Sequence, residues 1–490
     1  MNIYIDNHPF HYETENLVRL FYPNEKLNVI SDIPDSLEEP YIYTSLEKQY
    51  NCITVFAKLD IDGDKRCSDM LVSVNDEGEE KCSEQTMARA LYKILCEHTG
   101  VTQPWGILTG VRPVKLFRCL ASEYGTSAAK EYFTGRLMVS NAKTELCAVT
   151  EGYERKILSL SRPDSFSLYV SVPFCPTRCS YCSFVSQTIE KAKKLIDPYF
   201  DKLCREIEYT AEIARDKGLR LESVYIGGGT PTTLSARQMS ELIGVLRKSF
   251  DMSGCREFTV EAGRPDTIDE EKLLAILGGG VDRISINPQT LNDSVLEVIG
   301  RKHTSAQTLE AYELARKLGF RHINMDLIAG LPTDTPESFA DTLDRITGLD
   351  PESITVHTLA LKRSSRLNME GRSVMGSSSP AAQMLDYCEK QLSEKNYIPY
   401  YLYRQSRMEG NLENVGWSKK NFEGIYNVFV MDETHTIIGC GAGAVTKLKQ
   451  PGGESLSRIF NYKYPYEYIE GFEEILKRKE QIRKFYDELS

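Results

Sequence analysis

The sequence predicts an α/β protein built on a partial, TIM-like (β/α)6 barrel, with an α+β domain before it and an α+β extension after it. Three observations lead there. From about Ser167 onward, short apolar runs alternate with amphipathic helical stretches, the pattern of βαβ units and a parallel sheet. Six such units can be counted, two short of a closed eight-unit barrel. The flanking segments lose the alternation and mix strand and helix patterns.

In residues 1–165, "PYIYTSLEKQYNCITVFAKLDIDG" reads as strands with turn residues, and "SEQTMARALYKILCEHTG" as a capped helix stopped by glycine. "PWGILTGVRPVKLF" is punctuated by Gly and Pro; a functional loop and a domain boundary explain it equally well. "SLSRPDS" (159–165) reads as a linker into the barrel, residues 166–375. The barrel strands are "SLYVSV" (167–172), "SVYIG" (223–227), "FTVEA" (258–262), "RISIN" (283–287), "INMDLI" (323–328) and "SITVHTLA" (353–360). They look mostly apolar on both faces, as strands covered on both sides are. The helices between them open with Ser, Asp or Pro and several close at Gly. Chemistry in such an architecture sits at the carboxyl ends of the strands. "SVMGSSSPA" (373–381) is a polar junction, and residues 376–490 form a third, α+β domain with a helix, strands such as "IYNVFVMD" and "THTIIGCGAGAV", and a closing charged helix.

A chain of 490 residues with 41% hydrophobic and 26% charged residues is of soluble globular type and large enough for two or three domains. Its net charge of −11 argues against general nucleic-acid binding. The apolar runs fall well short of the ~20 residues of a membrane span. "MNIYIDNHPFHYETEN" lacks the basic and apolar regions of a secretion signal, so a cytoplasmic location is expected. Of 13 cysteines, ten stand singly and read as small core residues.

The other three, Cys175, Cys179 and Cys182, crowd the end of the first barrel strand in "YVSVPFCPTRCSYCSF" with C-x3-C-x2-C spacing. A structural zinc site normally wants four ligands, often as two CxxC pairs, and only one such pair is present. A disulfide is disfavoured in the cytoplasm. A [4Fe–4S] cluster with three thiolates and one iron left open for a further ligand fits better; zinc and plain packing remain the alternatives on the residues alone.

CxxxCxYC at this place resembles the signature of the radical S-adenosylmethionine (SAM) superfamily. "YIGGGTPTTL" (225–234), "FTVEAGRPDTI" (258–268), "RISINPQTLNDSVLEVIGRKHT" (283–304) and "NMDLIAGLPTDTPESF" (324–339) resemble its oxygen-independent coproporphyrinogen III oxidase group. The likeness runs from about Leu168 to Val445, and the long N-terminal extension is similar to that of HemZ-type coproporphyrinogen dehydrogenases. It implies that Cys175, Cys179 and Cys182 hold the cluster, whose open iron is chelated by the amino group and carboxylate of SAM. It further implies cofactor contacts from Tyr169, Tyr181 against the adenine, a Gly-rich turn of Gly228, Gly229 and Thr230 against the methionine part, and the polar residues Glu261, Gln289, Arg301 and Asp326. Ala360 would add a backbone contact and Val445 an apolar one. His303 has no assigned role. "GGGTPT" is no P-loop, because it lacks the Lys-Ser/Thr of a phosphate site, and "GCGAG" lacks the spacing of a dinucleotide turn.

The implied reaction is oxidative decarboxylation of coproporphyrinogen III propionates to vinyl groups in haem biosynthesis, giving protoporphyrinogen IX. SAM supplies the radical, so no catalytic side chain is named, and the expected partner is a reductant such as flavodoxin or ferredoxin. "LKRSSRL" (361–367) offers Lys362, Arg363 and Arg366 to substrate carboxylates, although a solvated loop explains them too. Phe184 marks a departure: the best-known oxidases of the group carry a further cysteine there, whereas relatives resembling haem chaperones carry aromatic residues. A haem chaperone, or a radical SAM methyltransferase acting on a tetrapyrrole, is therefore an alternative. A zinc-structured interaction protein would require the resemblance to be accidental.

Overall fold

The structure is a computed structural model that describes residues 1–49, 52–73, 78–182, 184, 186–360, 379–405 and 408–489. It divides into two compact units: Met1–Glu151 with Asn368–Asp386 and Leu402–Glu413, and Gly152–Leu367 with Tyr387–Tyr401 and Asn414–Ser490. This division differs from the expected boundaries at 165 and 375 and from a separate third domain over residues 376–490. Much of that last stretch is instead built into the sheet of the second unit. Among the described residues no helix is long and apolar enough to cross a membrane.

The first unit carries a five-stranded sheet whose last three strands, Tyr41–Gln49, Cys52–Ile61 and Asp64–Leu71, form an antiparallel meander. The helix Glu79–Thr99 stops at Gly100, which takes the left-handed conformation that glycine adopts without strain. The "PWGILTG" segment is pinned from within this unit. Trp105 Nε1 donates to Glu413 Oε2 at 2.7 Å, Lys143 pairs with the same carboxylate at 2.7 Å, and Arg404 Nη1 donates to the Leu108 carbonyl at 2.6 Å. A Cβ on Gly106 would stand 2.2 Å from the Leu137 carbonyl oxygen, so no larger residue fits there.

In the second unit the six expected strands are Ser165–Val172, Arg220–Gly228, Glu257–Glu261, Arg283–Ser285, Ile323–Ala329 and Ser353–Thr358, each parallel to the next. Thr436–Cys440 joins the first strand in parallel and Asn414–Ser418 joins the sixth antiparallel. With Ile398–Tyr403 beyond the latter and Val445–Lys449 and Leu456–Phe460 beyond the former, the sheet has eleven strands among the described residues. Helices such as Ala236–Ser249 and Ser305–Leu318 begin at capping boxes set by Ser235 and Thr304.

Two expectations need correction. The strands are not apolar on both faces. Leu168, Val170, Val224, Ile226, Phe258, Val260, Met325, Leu327, Ile354 and Val356 are buried on the apolar face, where Phe166 meets Phe250 at the end of a crossover helix. The alternate positions are polar and bond across strands: Ser167 to Ser223 at 2.7 Å, Asn324 Nδ2 to Ser285 Oγ at 3.0 Å, and Thr355 Oγ1 to Asn324 Oδ1 at 3.2 Å. A parallel sheet with one polar face encloses something other than a plain hydrophobic core. Secondly, "IYNVFVMD" is the helix Ile425–Asp432, not a strand. Its backbone N–H groups at Ile425 and Tyr426 are taken up by Glu257, at 2.6 and 3.3 Å, and Tyr426 stacks on Tyr225 with ring centroids 4.5 Å apart.

Candidate functional site

The three cysteines leave the carboxyl end of the first strand on a loop that is tied at both ends. Phe174–Cys175 pairs with Gln187–Thr188, and the Gln187 N–H donates to the Pro173 carbonyl at 2.9 Å. Between them, Ser180 donates through its backbone N–H to Ile299 at 3.0 Å, and Thr177 Oγ1 donates to the Gly300 carbonyl at 3.2 Å. Cys179 is buried, while Cys175 and Cys182 are half-buried. Burial pushes the Cys175 and Cys182 thiols above their ordinary pKa.

Among the described residues no three His, Cys, Asp or Glu side chains are grouped to hold a single metal ion. A cluster does not ask for that, since each sulfur meets a different iron and the sulfurs need not converge on one point. The surroundings fit thiolates bound in this way. Thr230 Oγ1 donates to Cys175 Sγ at 3.6 Å, and Arg264 Nη1 donates to Cys179 Sγ at 3.8 Å. A Cβ on Gly229 would stand 2.6 Å from the Phe174 carbonyl oxygen and 2.9 Å from Cys175 Sγ, so the Gly-rich turn is pressed against the loop. Gly228, at φ 112°, makes the turn itself.

Arg301 links this loop to the strand ends. Its Nη1 donates to the Asn287 carbonyl at 2.7 Å, and its Nη2 reaches the Tyr181 hydroxyl at 3.4 Å. Tyr181 rests on a buried cluster of Val295, Leu296, Ile299, Ile328, Leu331 and Leu359. Gln289 has φ 68°, rare for a residue with a side chain. Its backbone is held in place by the Asp326 carbonyl, which accepts from its N–H at 2.9 Å, and by the Ile328 N–H, which donates to its carbonyl at 3.0 Å.

Two carboxylates of opposite tendency stand at the strand ends. Burial pushes the Glu261 pKa up to about 7, the nearby Asp326 adds to the rise, and the Tyr225 hydroxyl donating at 2.5 Å resists it. Burial also works against Asp326, but hydrogen bonds from His357, Asn324 and Thr355 outweigh it and hold its carboxyl below the usual range. Tyr169 and Tyr225 occupy matched positions on neighbouring strands, with ring centroids 6.3 Å apart. His303 is buried, and burial together with the Arg301 and Arg264 cations holds its pKa down to about 3.

The structure thus joins Cys175, Cys179, Tyr181, Gly229, Thr230 and Arg301 through direct contacts, and Glu261, Gln289 and Asp326 through the adjoining strand ends. Val445 lies one strand beyond: Gly439, in register with Tyr169, would place a Cβ 3.0 Å from the Val445 backbone. Ala360 is half-buried two residues past the sixth strand. Lys362, Arg363 and Arg366 lie outside the described residues. The sequence reading missed Arg264, Tyr225 and His357. Tyr225 had a usable signal, the same alternation and the same distance from a strand end as Tyr169. Arg264 had none, since an Arg beside Pro and Asp in a turn reads as solvated.

The family model for the radical SAM superfamily matches residues 169–346. The oxygen-independent coproporphyrinogen-III oxidase-like protein HemZ of Bacillus subtilis is 37% identical over 96% of this chain and 96% of its own length. The haem chaperone HemW of the same organism is 32% identical over 53% of this chain and 68% of its own. The solved structure of Escherichia coli coproporphyrinogen III oxidase (HemN) aligns over 66% of this chain and 72% of that one at 23% identity, with a TM-score of 0.49. By its match to HemZ along nearly the whole length of both chains, the chain belongs to the radical SAM superfamily, among the HemZ-type oxygen-independent coproporphyrinogen-III oxidase-like proteins.

Proposed function

We propose that this chain catalyses oxygen-independent oxidative decarboxylation of coproporphyrinogen III. Each reacting propionate gives up a β-hydrogen atom, CO2 and one electron to leave a vinyl group. The superfamily's cofactors are a [4Fe–4S] cluster and SAM. Cys175, Cys179 and Cys182 would hold the cluster, which when reduced supplies the electron that turns SAM into methionine and a 5′-deoxyadenosyl radical. The observation that carries the reading is the cysteine loop, with hydrogen-bond donors aimed at two of its sulfurs, set beside a polar sheet face that ends in Glu261 and Asp326.

The chain's own side chains have distinct tasks. Tyr181, braced by its apolar cluster, would present a ring to the adenine. Gly228 and Gly229 let backbone approach the methionine part. Asp326 stays ionised and would accept from donors on the cofactor, while Glu261, close to half-protonated near pH 7, can accept or donate at one oxygen. Arg301 ties the cysteine loop to the strand ends, so cluster and cofactor pocket hold one geometry. A reductant such as flavodoxin or ferredoxin would deliver electrons.

A second reading, haem delivery, is favoured by the HemW relative and by the aromatic residue at Phe184. The test is anaerobic: reconstituted protein, reductant, SAM and coproporphyrinogen III, with CO2 and vinyl product measured. Product formation supports the decarboxylase. Tight haem binding with turnover of neither tetrapyrrole supports the chaperone, and 5′-deoxyadenosine formed only with haem points to a methyltransferase. Cys179→Ala should abolish the visible charge-transfer absorbance and all SAM cleavage; a full cluster in that variant would overturn the ligand set.

A further inference from the structure

Arg264 belongs to none of the residue sets that pattern or resemblance supplied, yet it is only 4% exposed and points at a cluster cysteine. Its guanidinium is fixed on three sides. Nε and Nη2 each donate to one carboxylate oxygen of Asp266 at 2.8 Å, and Nη1 donates to Thr177 Oγ1 at 3.1 Å as well as to Cys179 Sγ at 3.8 Å. The bidentate pairing leaves the planar fork no freedom to turn away. Cys175 takes hydrogen bonds from the neutral Thr230 and Ser186 side chains, whereas Arg301 is a second cation hydrogen-bonded to Cys179. The charged hydrogen-bond donors of the two sulfurs therefore gather on Cys179, and Arg264 is held there by its pairing with Asp266.

Hydrogen bonds to the sulfurs and nearby charge set the reduction potential of an iron–sulfur centre, because reduction adds negative charge that a cation stabilises. We propose that Arg264 is a positioning residue that raises the cluster's reduction potential through the Cys179 thiolate, with the Asp266 carboxylate opposing it. The inference rests on the three-cysteine cluster reading, and the two fail differently. If reconstituted wild-type protein shows no iron–sulfur absorbance, the cluster reading itself is wrong.

The test is an EPR-monitored redox titration of reconstituted full-length wild type, Arg264→Gln, Arg264→Lys and Asp266→Asn, without substrate. In R264Q the ratio of reduced to oxidised cluster at a fixed potential should fall about tenfold, a downward shift of ~59 mV for a one-electron couple. D266N should shift the potential upward, and R264K should lie between R264Q and wild type. A merely structural role predicts loss of cluster or the same direction of shift in both variants, not opposite signs. Should R264Q fail to retain its cluster, D266N decides: a rise supports the proposal and no rise overturns it. Wild-type potentials in both R264Q and D266N would also overturn it.

Discussion

Glu257 and Glu261 stand four residues apart on one face of one strand, and they have opposite surroundings. Glu257 is 4% exposed and accepts from two backbone N–H groups at the start of the helix Ile425–Asp432 and from Thr259 Oγ1 at 3.1 Å. It also lies near the buried Arg283, whose charge burial opposes but Tyr400 and Glu257 sustain. Glu261, at the carboxyl end, has the Tyr225 hydroxyl as donor and Asp326 as an unfavourable neighbour. One end of the polar face is sealed by three hydrogen bonds to the Glu257 carboxylate, and the other keeps a carboxylate under tension. A fold holds such tension where a ligand relieves it.

The comparison breaks most visibly on removal of the sealed carboxylate. Glu257→Ala strips two N–H groups of their acceptor and removes a negative charge that favours the buried Arg283 cation, so urea denaturation of the cluster-free protein should show a loss of about 2–4 kcal/mol. Glu261→Ala in the same assay should stay within about 1 kcal/mol of wild type. Equal losses would mean that both glutamates are structural. Next in size is Gly229→Ala, whose Cβ would meet the Phe174 carbonyl oxygen at 2.6 Å and Cys175 Sγ at 2.9 Å. Neither neighbour is the free end of a flexible chain, so a destabilisation of about 1–3 kcal/mol is expected, together with less iron retained after gel filtration.

The Glu261 titration gives a smaller, signed effect. Its pKa is raised from 4.5 to about 7 in the folded chain, so between those values the folded state binds more protons than the unfolded. Stability must then fall as pH rises through that window and level off above it. Solvent reaching this half-buried carboxylate screens part of the penalty, which leaves about 1–2 kcal/mol. Glu261→Gln should remove that slope, so the wild-type-minus-variant stability difference between pH 4.5 and pH 7 measures it directly. A flat difference would mean that the carboxylate is not held under tension.

Much of this was legible in the sequence, because strand periodicity and glycine placement are local properties. The six barrel strands follow from residues that determine their own conformation, whereas the role of the Gly228–Gly229 turn comes from the family resemblance. The polar face was not, since Ser, Thr and Tyr are good strand formers and blur the alternation between Val and Ile positions. The helix Ile425–Asp432 was misread for a related reason: its Ile, Val and Phe favour strands, and what overrides them is tertiary, the Glu257 carboxylate taking up its first N–H groups. Arg264 was invisible because its meaning lies in Cys179, which is 85 residues away along the chain.

The smallest stability effect belongs to the rim of the same end, where Phe184 is 62% exposed on the cysteine loop. Little packing is lost when it is truncated, so Phe184→Ser should change stability by less than about 0.5 kcal/mol. A large exposed ring two residues past Cys182 is nonetheless an aromatic face open to a flat ligand. Stacking of that kind is worth about 0.5–1.5 kcal/mol, so under the proposed function the variant should bind a tetrapyrrole several-fold more weakly while its cluster absorbance stays intact. Parallel titrations with haem and coproporphyrinogen III would show which ligand the ring serves. Weakening for haem alone would favour the delivery reading, and unchanged affinity for both would make Phe184 an ordinary exposed side chain, leaving Glu261 and Asp326 as the features that set this end of the sheet apart.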